Sequence, residues 1–247
     1  MNKKQNYSYI GIAFIILVFG IIFIPRIVDR ITNDDVTRNE SRSDFADEKT
    51  SVSDLAFIEI NGEPKKVPAF SFIDQNGKTI TNKDYEGKVY VIEFFFTTCP
   101  TICPRMNANL IQIQNTFKEF EDFGVASFTI NPDYDTQEVL KAYADQYGVT
   151  NPNWHLMTGD KDTIYKLSNE GFNLYTAEEE DVAGGFEHSG NFALIDKNGF
   201  IRSRKDDFGN PIIYYRGIAS EEEQVDDDGV KEEISALKED IKKLLNE

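Results

Sequence analysis

Residues 88–96, KVYVIEFFF, are β-branched or aromatic almost throughout and run straight into TTCPTICPRM. So short and uniformly apolar a run reads as a central strand covered on both faces, which commits the chain to a sheet with helices packed on it. The strand ends at the chain's two cysteines, Cys99 and Cys103, four residues apart and each followed by proline. Thiols placed this close together make a dithiol site, for a metal or for electrons. Pro104 suits the first position of a helix, where its missing N–H costs nothing, and it biases the preceding residue away from helical geometry. Cys103 is therefore expected as the N-cap of a helix over residues 104 to about 120, with Leu110, Ile113 and Phe117 on its apolar face.

The rest of the domain is punctuated clearly. FSFIDQNGKTIT is a hairpin turning at Asn76 and Gly77. GVASFTIN is a second strand. DTQEVLKAYADQYG is a helix capped by Asp135 or Thr136 and stopped by Gly148. A third strand lies around WHLMTG, a short helix covers residues 161–168, and FALIDKNGFIRSR is a hairpin turning at Asn198 and Gly199. Val230, Ile234, Leu237, Ile241 and Leu244 give the last segment one apolar helical face. Strands alternating with helices imply a largely parallel sheet carrying hairpins. A strand that ends in a dithiol at a helix N-terminus, followed by βαβ and a closing hairpin and helix, is the thioredoxin-like α/β layout.

Ahead of this domain, residues 5–25 carry no charge and include YIGIAFIILVFGIIFIP. About 20 helical residues span roughly 30 Å of hydrocarbon, so this stretch is expected to be one N-terminal transmembrane helix. PRIVDR is a poor cleavage site, which favours a retained anchor over a signal peptide. Lys3 and Lys4 would keep the short tail cytoplasmic and place the soluble domain in the extracytoplasmic or periplasmic space. The expected organisation is a tail and anchor over residues 1–27, a polar tether over 28–56 and the binding domain over 57–247. The formal net charge of −17 excludes a surface built for nucleic acid. Part of it is local, in an acidic run at 221–228 expected to be a solvated loop.

The dithiol sits where unpaired N–H groups and the positive end of a helix dipole favour thiolate, the form that both metal binding and redox chemistry need. A disulfide across four residues closes too small a loop to stabilise much. Redox enzymes of this layout mostly have two residues between their cysteines and a cis-proline before the closing hairpin; here there are three, and no proline lies between residues 154 and 210. That region holds GGFEHSGN, with His188 just before the strand. Two thiolates and an imidazole suit Cu(I), which accepts low coordination. A four-ligand zinc site would need His155, which alternates with apolar residues beside Trp154 and reads as structural, as does Met106 on the helix.

These motifs resemble the Sco/SenC family, the membrane-anchored copper chaperones of cytochrome c oxidase assembly. The resemblance covers about residues 68–245: CPTICP matches the family's CPxxCP, NPDYDT resembles DPxxDT, and EHS resembles DHS, with Asn131 and Glu187 replacing the usual aspartates. It implies copper, as Cu(I) and also as Cu(II), on Cys99, Cys103 and His188. It also implies delivery to the oxidase's copper-bearing subunit, with a copper donor or thiol reductant upstream. The same resemblance leaves a second use open, with Cys99 and Cys103 as the catalytic pair of a thiol-disulfide reductase.

Overall fold

The computed structural model describes residues 17–19, 54–179, 181 and 184–247. Short strands β1 (Ala56–Phe57), β2 (Glu59–Ile60) and β3 (Glu63–Pro64) lead into the hairpin β4 (Ser71–Asp74) and β5 (Thr79–Thr81). Its turn is made by the Asp74 carboxylate, which accepts from the N–H groups of Asn76 and Lys78 at 2.9 and 2.8 Å. Gly77 follows at φ +78°, a conformation that disfavours a side chain.

The apolar run is β6 (Val89–Phe95), buried along its whole length. After it come α1 (Ile102–Thr116), β7 (Phe123–Thr129), α2 (Gln137–Tyr147) and β8 (Trp154–Thr158). A short α3 (Lys161–Lys166) continues into a π-helical turn over Leu167–Phe172. The hairpin β9 (Thr176–Glu178) and β10 (Phe186–His188) follows, then β11 (Asn191–Ile195), β12 (Ile201–Ser203), β13 (Tyr215–Arg216) and α4 (Ile234–Leu245).

The main sheet has the order β1-β12-β11-β6-β7-β8-β4-β5, with β13 added beside β11. It is mixed rather than largely parallel. Among the described residues, parallel pairing is confined to β6–β7 and β7–β8, each pair joined by a crossover helix, while β11 and β4 lie antiparallel to β6 and β8 on either side. Successive residues of β6 face opposite ways. Phe95 meets Tyr143 of α2 at 5.6 Å on one face, while Phe94 meets Phe128 and Phe172 at 5.4 and 5.9 Å on the other. Along α4, Ile234, Leu237, Ile241 and Leu244 are fully buried, whereas Val230 precedes the helix and is exposed.

Three further expectations are corrected. No helix among the described residues is long and apolar enough to cross a membrane. Of the expected span only Leu17, Val18 and Phe19 are described, and they are helical and exposed. The rest of the expected transmembrane helix lies outside the described residues, and the extracytoplasmic placement that depended on it falls with it. Second, α1 begins at Ile102, so Cys103 and Pro104 are its second and third residues and Thr101 is the N-cap. Proline is harmless there because the first four N–H groups of a helix have no intrahelical acceptor. The N–H of Cys103 points at the Cys99 sulfur, 3.5 Å away. Third, the acidic run is not simply solvated. Asp226 is buried against Arg216 at 2.7 Å, and Glu223 and Asp227 pair with Arg105 at 3.1 and 2.9 Å.

Candidate metal centre

The centre is assembled at the C-terminal end of β6 from three pieces of chain. The first is the turn carrying Cys99, whose N–H donates to the carbonyl of Phe96 at 3.3 Å. Two residues before Cys99, both the N–H and the hydroxyl of Thr97 donate to the Asp135 carboxylate, which also receives the Thr129 hydroxyl. Asp135 is fully buried, and burial pushes its pKa up despite those donors. It ties the dithiol turn to the end of β7, while the capping of α2 falls to Thr136, whose hydroxyl accepts from the N–H of Val139. The motif NPDYDT was readable, but not this use of Asp135, because Thr97 lies 38 residues away.

The second piece is the first turn of α1. Cys103 has no solvent exposure and Cys99 has 7%. The third is the β9–β10 hairpin, which arises where the sequence reading placed a glycine-rich loop. Phe186 packs on Phe96 at 5.2 Å and the His188 ring stands edge-on to Phe96 at 6.0 Å. Gly184, at φ +93°, lets the hairpin close down: a Cβ there would lie 2.9 Å from the Phe96 ring and 3.0 Å from Pro100. Half-buried His188 thereby brings its Nε2 to 3.2 Å from the Cys103 sulfur.

The two sulfurs and an imidazole nitrogen all lie within 4.8 Å of one another, a cluster capable of coordinating a metal ion. The sulfurs are not equivalent. The Cys103 thiol donating to Cys99, helped by His188 and by backbone N–H groups, lowers the Cys99 pKa to about 3, while burial first and the neighbouring sulfur second push Cys103 well up. The surroundings therefore favour thiolate at Cys99 and the protonated thiol at Cys103.

His155 is elsewhere, its Nδ1 2.9 Å from the Asp74 carboxylate and its ring edge-on to Tyr85. Burial lowers its pKa, against the opposing pull of Asp74. Met106 is fully buried on α1 in the core. Beneath the site, Glu93 of β6 is fully buried, accepts from the Ser127 hydroxyl at 2.6 Å and leaves its other oxygen unpartnered among the described residues. Sequence reading passed over this carboxylate in an otherwise apolar strand, although a lone acid there was itself a signal. Glu187, between Phe186 and His188, is exposed, so its substitution for aspartate does not alter the cluster's lining.

Residues 59–221, holding all three donors, match the family model described as SCO1/SenC. The chain belongs to the SCO1/SenC family. Among its relatives, the SCO1 protein homolog of Bacillus subtilis (strain 168) is 36% identical over 95 residues, which is 38% of this chain and 49% of that protein. The chain thus matches about half the length of that curated relative. The crystal structure of a SCO1/SenC family lipoprotein from Bacillus anthracis is 32% identical, covers 73% of this chain and 95% of that one, and superposes with a TM-score of 0.60. BsSco, described as a member of the Sco family of cytochrome c oxidase assembly proteins, shares the fold at 22% identity and a TM-score of 0.59, covering 78% of this chain and 96% of that one.

Proposed function

We propose that this SCO1/SenC chain is a copper chaperone whose domain over residues 57–247 carries copper as cargo on Cys99, Cys103 and His188. The observation that carries the reading is the convergence of two sulfurs and one imidazole within 4.8 Å. Soft sulfur donors with a single imidazole favour Cu(I), and a three-donor set with one partly accessible side leaves room for an acceptor's ligand to enter. The acceptor in this reading is the copper-bearing subunit of cytochrome c oxidase, consistent with the assembly role stated for BsSco. A copper donor or a thiol reductant acts upstream.

A Cu(I) competition titration of the reduced protein tests it. One copper per chain is expected, with a large loss of affinity in Cys99→Ser and Cys103→Ser and a smaller loss in His188→Ala. Unchanged affinity in all three variants would remove copper from this site.

The inequality of the two thiols favours a second reading, a thiol-disulfide reductase in which Cys99 attacks and Cys103 resolves. His188→Ala separates the two. Retained disulfide-reducing activity with weakened copper binding marks two distinct uses of the same sulfurs.

A further inference from the structure

His188 reaches Cys103 from a hairpin on one side, and its loop is fastened on the other side by a strap formed by residues 216–228. The fastening starts at β13, whose Arg216 pairs with Asn191, three residues after His188. The N–H of Gly217 then donates to the carbonyl of Gly190 at 2.9 Å. Ile218 fills the seam between loop and helix: a Cβ on Gly190 would fall 2.7 Å from the Ile218 side chain and 3.4 Å from Ile102. The strap closes on itself through Arg216, which binds Asp226 and Asp228 at 2.7 and 2.8 Å.

What holds the strap to the dithiol helix is Asn109. Its amide nitrogen donates to the carbonyl of Gly217 at 2.9 Å and lies 3.4 and 3.3 Å from those of Ile218 and Ala219. The side chain is 1% exposed, and its Oδ1 is buried without a partner among the described residues. A buried amide with an unpaired oxygen is unfavourable, so an apolar side chain of the same size would suit the core better if nothing needed the donor. The donor is what latches the strap. Outside the latch, Arg105 adds exposed pairs to Glu223 and Asp227, which contribute little by themselves.

We propose that Asn109 is a positioning residue for the metal centre: through the 216–228 strap it holds the His188 loop at bonding distance from Cys103 on the same helix. This rests on the reading of His188 as a copper ligand. The test compares the full-length chain with Asn109→Leu, His188→Ala and the double variant. Asn109→Leu is expected to weaken Cu(I) binding about tenfold and to remove imidazole scattering from the copper X-ray absorption spectrum. Without metal, it should accelerate amide exchange across residues 188–192 while α1 stays protected. In the His188→Ala background it should cost no further copper affinity, because a residue acting through His188 has nothing left to position.

Wild-type affinity with intact imidazole scattering in Asn109→Leu overturns the proposal, as does an additive loss in the double variant. Wild-type affinity in His188→Ala overturns the reading of His188 as a copper ligand, and the role of Asn109 with it, while leaving copper on the two cysteines to be judged by their own variants. Should Asn109→Leu not fold, Ile218→Ala loosens the same seam from the strap side and is held to the same outcomes.

Discussion

Cys99 and Cys103 are chemically alike in sequence and opposite in the folded chain. With its pKa lowered to about 3 by the neighbouring thiol, His188 and backbone donors, Cys99 is thiolate at every ordinary pH. Its alkylation by iodoacetamide in the reduced, metal-free protein should proceed at a rate nearly independent of pH above about 5, with Cys103 protected. Mass spectrometry of the labelled peptide checks this, and a rate climbing steadily to pH 9 would contradict it. Glu93 gives a prediction of opposite sign to that of an ion-paired acid. Burial raises its pKa from 4.5 to about 7. The folded state therefore holds a proton that the unfolded state releases, so its contribution to stability is complete below pH 4.5 and is lost as pH rises to about 7. The loss amounts to about 3 kcal/mol. Relative to Glu93→Gln, the wild-type protein should lose that much stability across the interval in urea denaturation.

Among the elements, the β9–β10 hairpin decides whether the centre exists, and Gly184 decides whether the hairpin can close. Alanine at 184 has both a disfavoured φ and a contact of 2.9 Å with Phe96 to relieve. Gly184→Ala should lift the hairpin, reducing Cu(I) affinity several-fold while moving the thermal midpoint little, since its Phe186 is only partly buried against the core. Equal affinity in a Cu(I) competition assay would show that the hairpin closes without the glycine. The helices were legible because their apolar faces repeat at helical spacing, and Gly148 ends α2 as expected, at φ 78°. The start of α1 was misread because the local bias of a residue before proline gave way to a contact, the Cys103 N–H on the Cys99 sulfur. The β9–β10 pairing was not legible either. Its strands are three residues long, separated by glycines, and register Phe186 with Glu178 through contacts that spacing does not encode.

At the scale of the whole molecule, the formal charge of −17 acts against compactness, and the structure answers part of it locally. Arg216 and Arg105 gather the acidic run, and Arg204 holds Asp240 and Glu239 on α4. Arg202 is buried between Asp196 and Glu247, fastening the chain's last residue to the sheet. The remaining repulsion is between exposed groups and is screened by salt. The thermal midpoint of the metal-free protein should rise by on the order of a few degrees between about 10 and 150 mM NaCl. A falling midpoint in differential scanning calorimetry would mean that the ion pairs outweigh the repulsion.

Residue type and short spacing were enough for the central strand, the dithiol near a helix start, the turns at Gly77 and Gly199 and the placing of His188, rather than His155, beside the dithiol. Each rests on residue type, short spacing or a motif within one segment. Only the folded chain shows which sulfur has its pKa lowered and which has it raised, that Asp135 anchors the dithiol turn, and that the acidic run folds back as a strap whose latch is Asn109. Those properties depend on burial and on partners far apart in the chain, as with Asn109 and Ala219, 110 residues apart. Local spacing carries no information about which distant group ends up beside a buried atom, and that neighbour sets its charge and its reach.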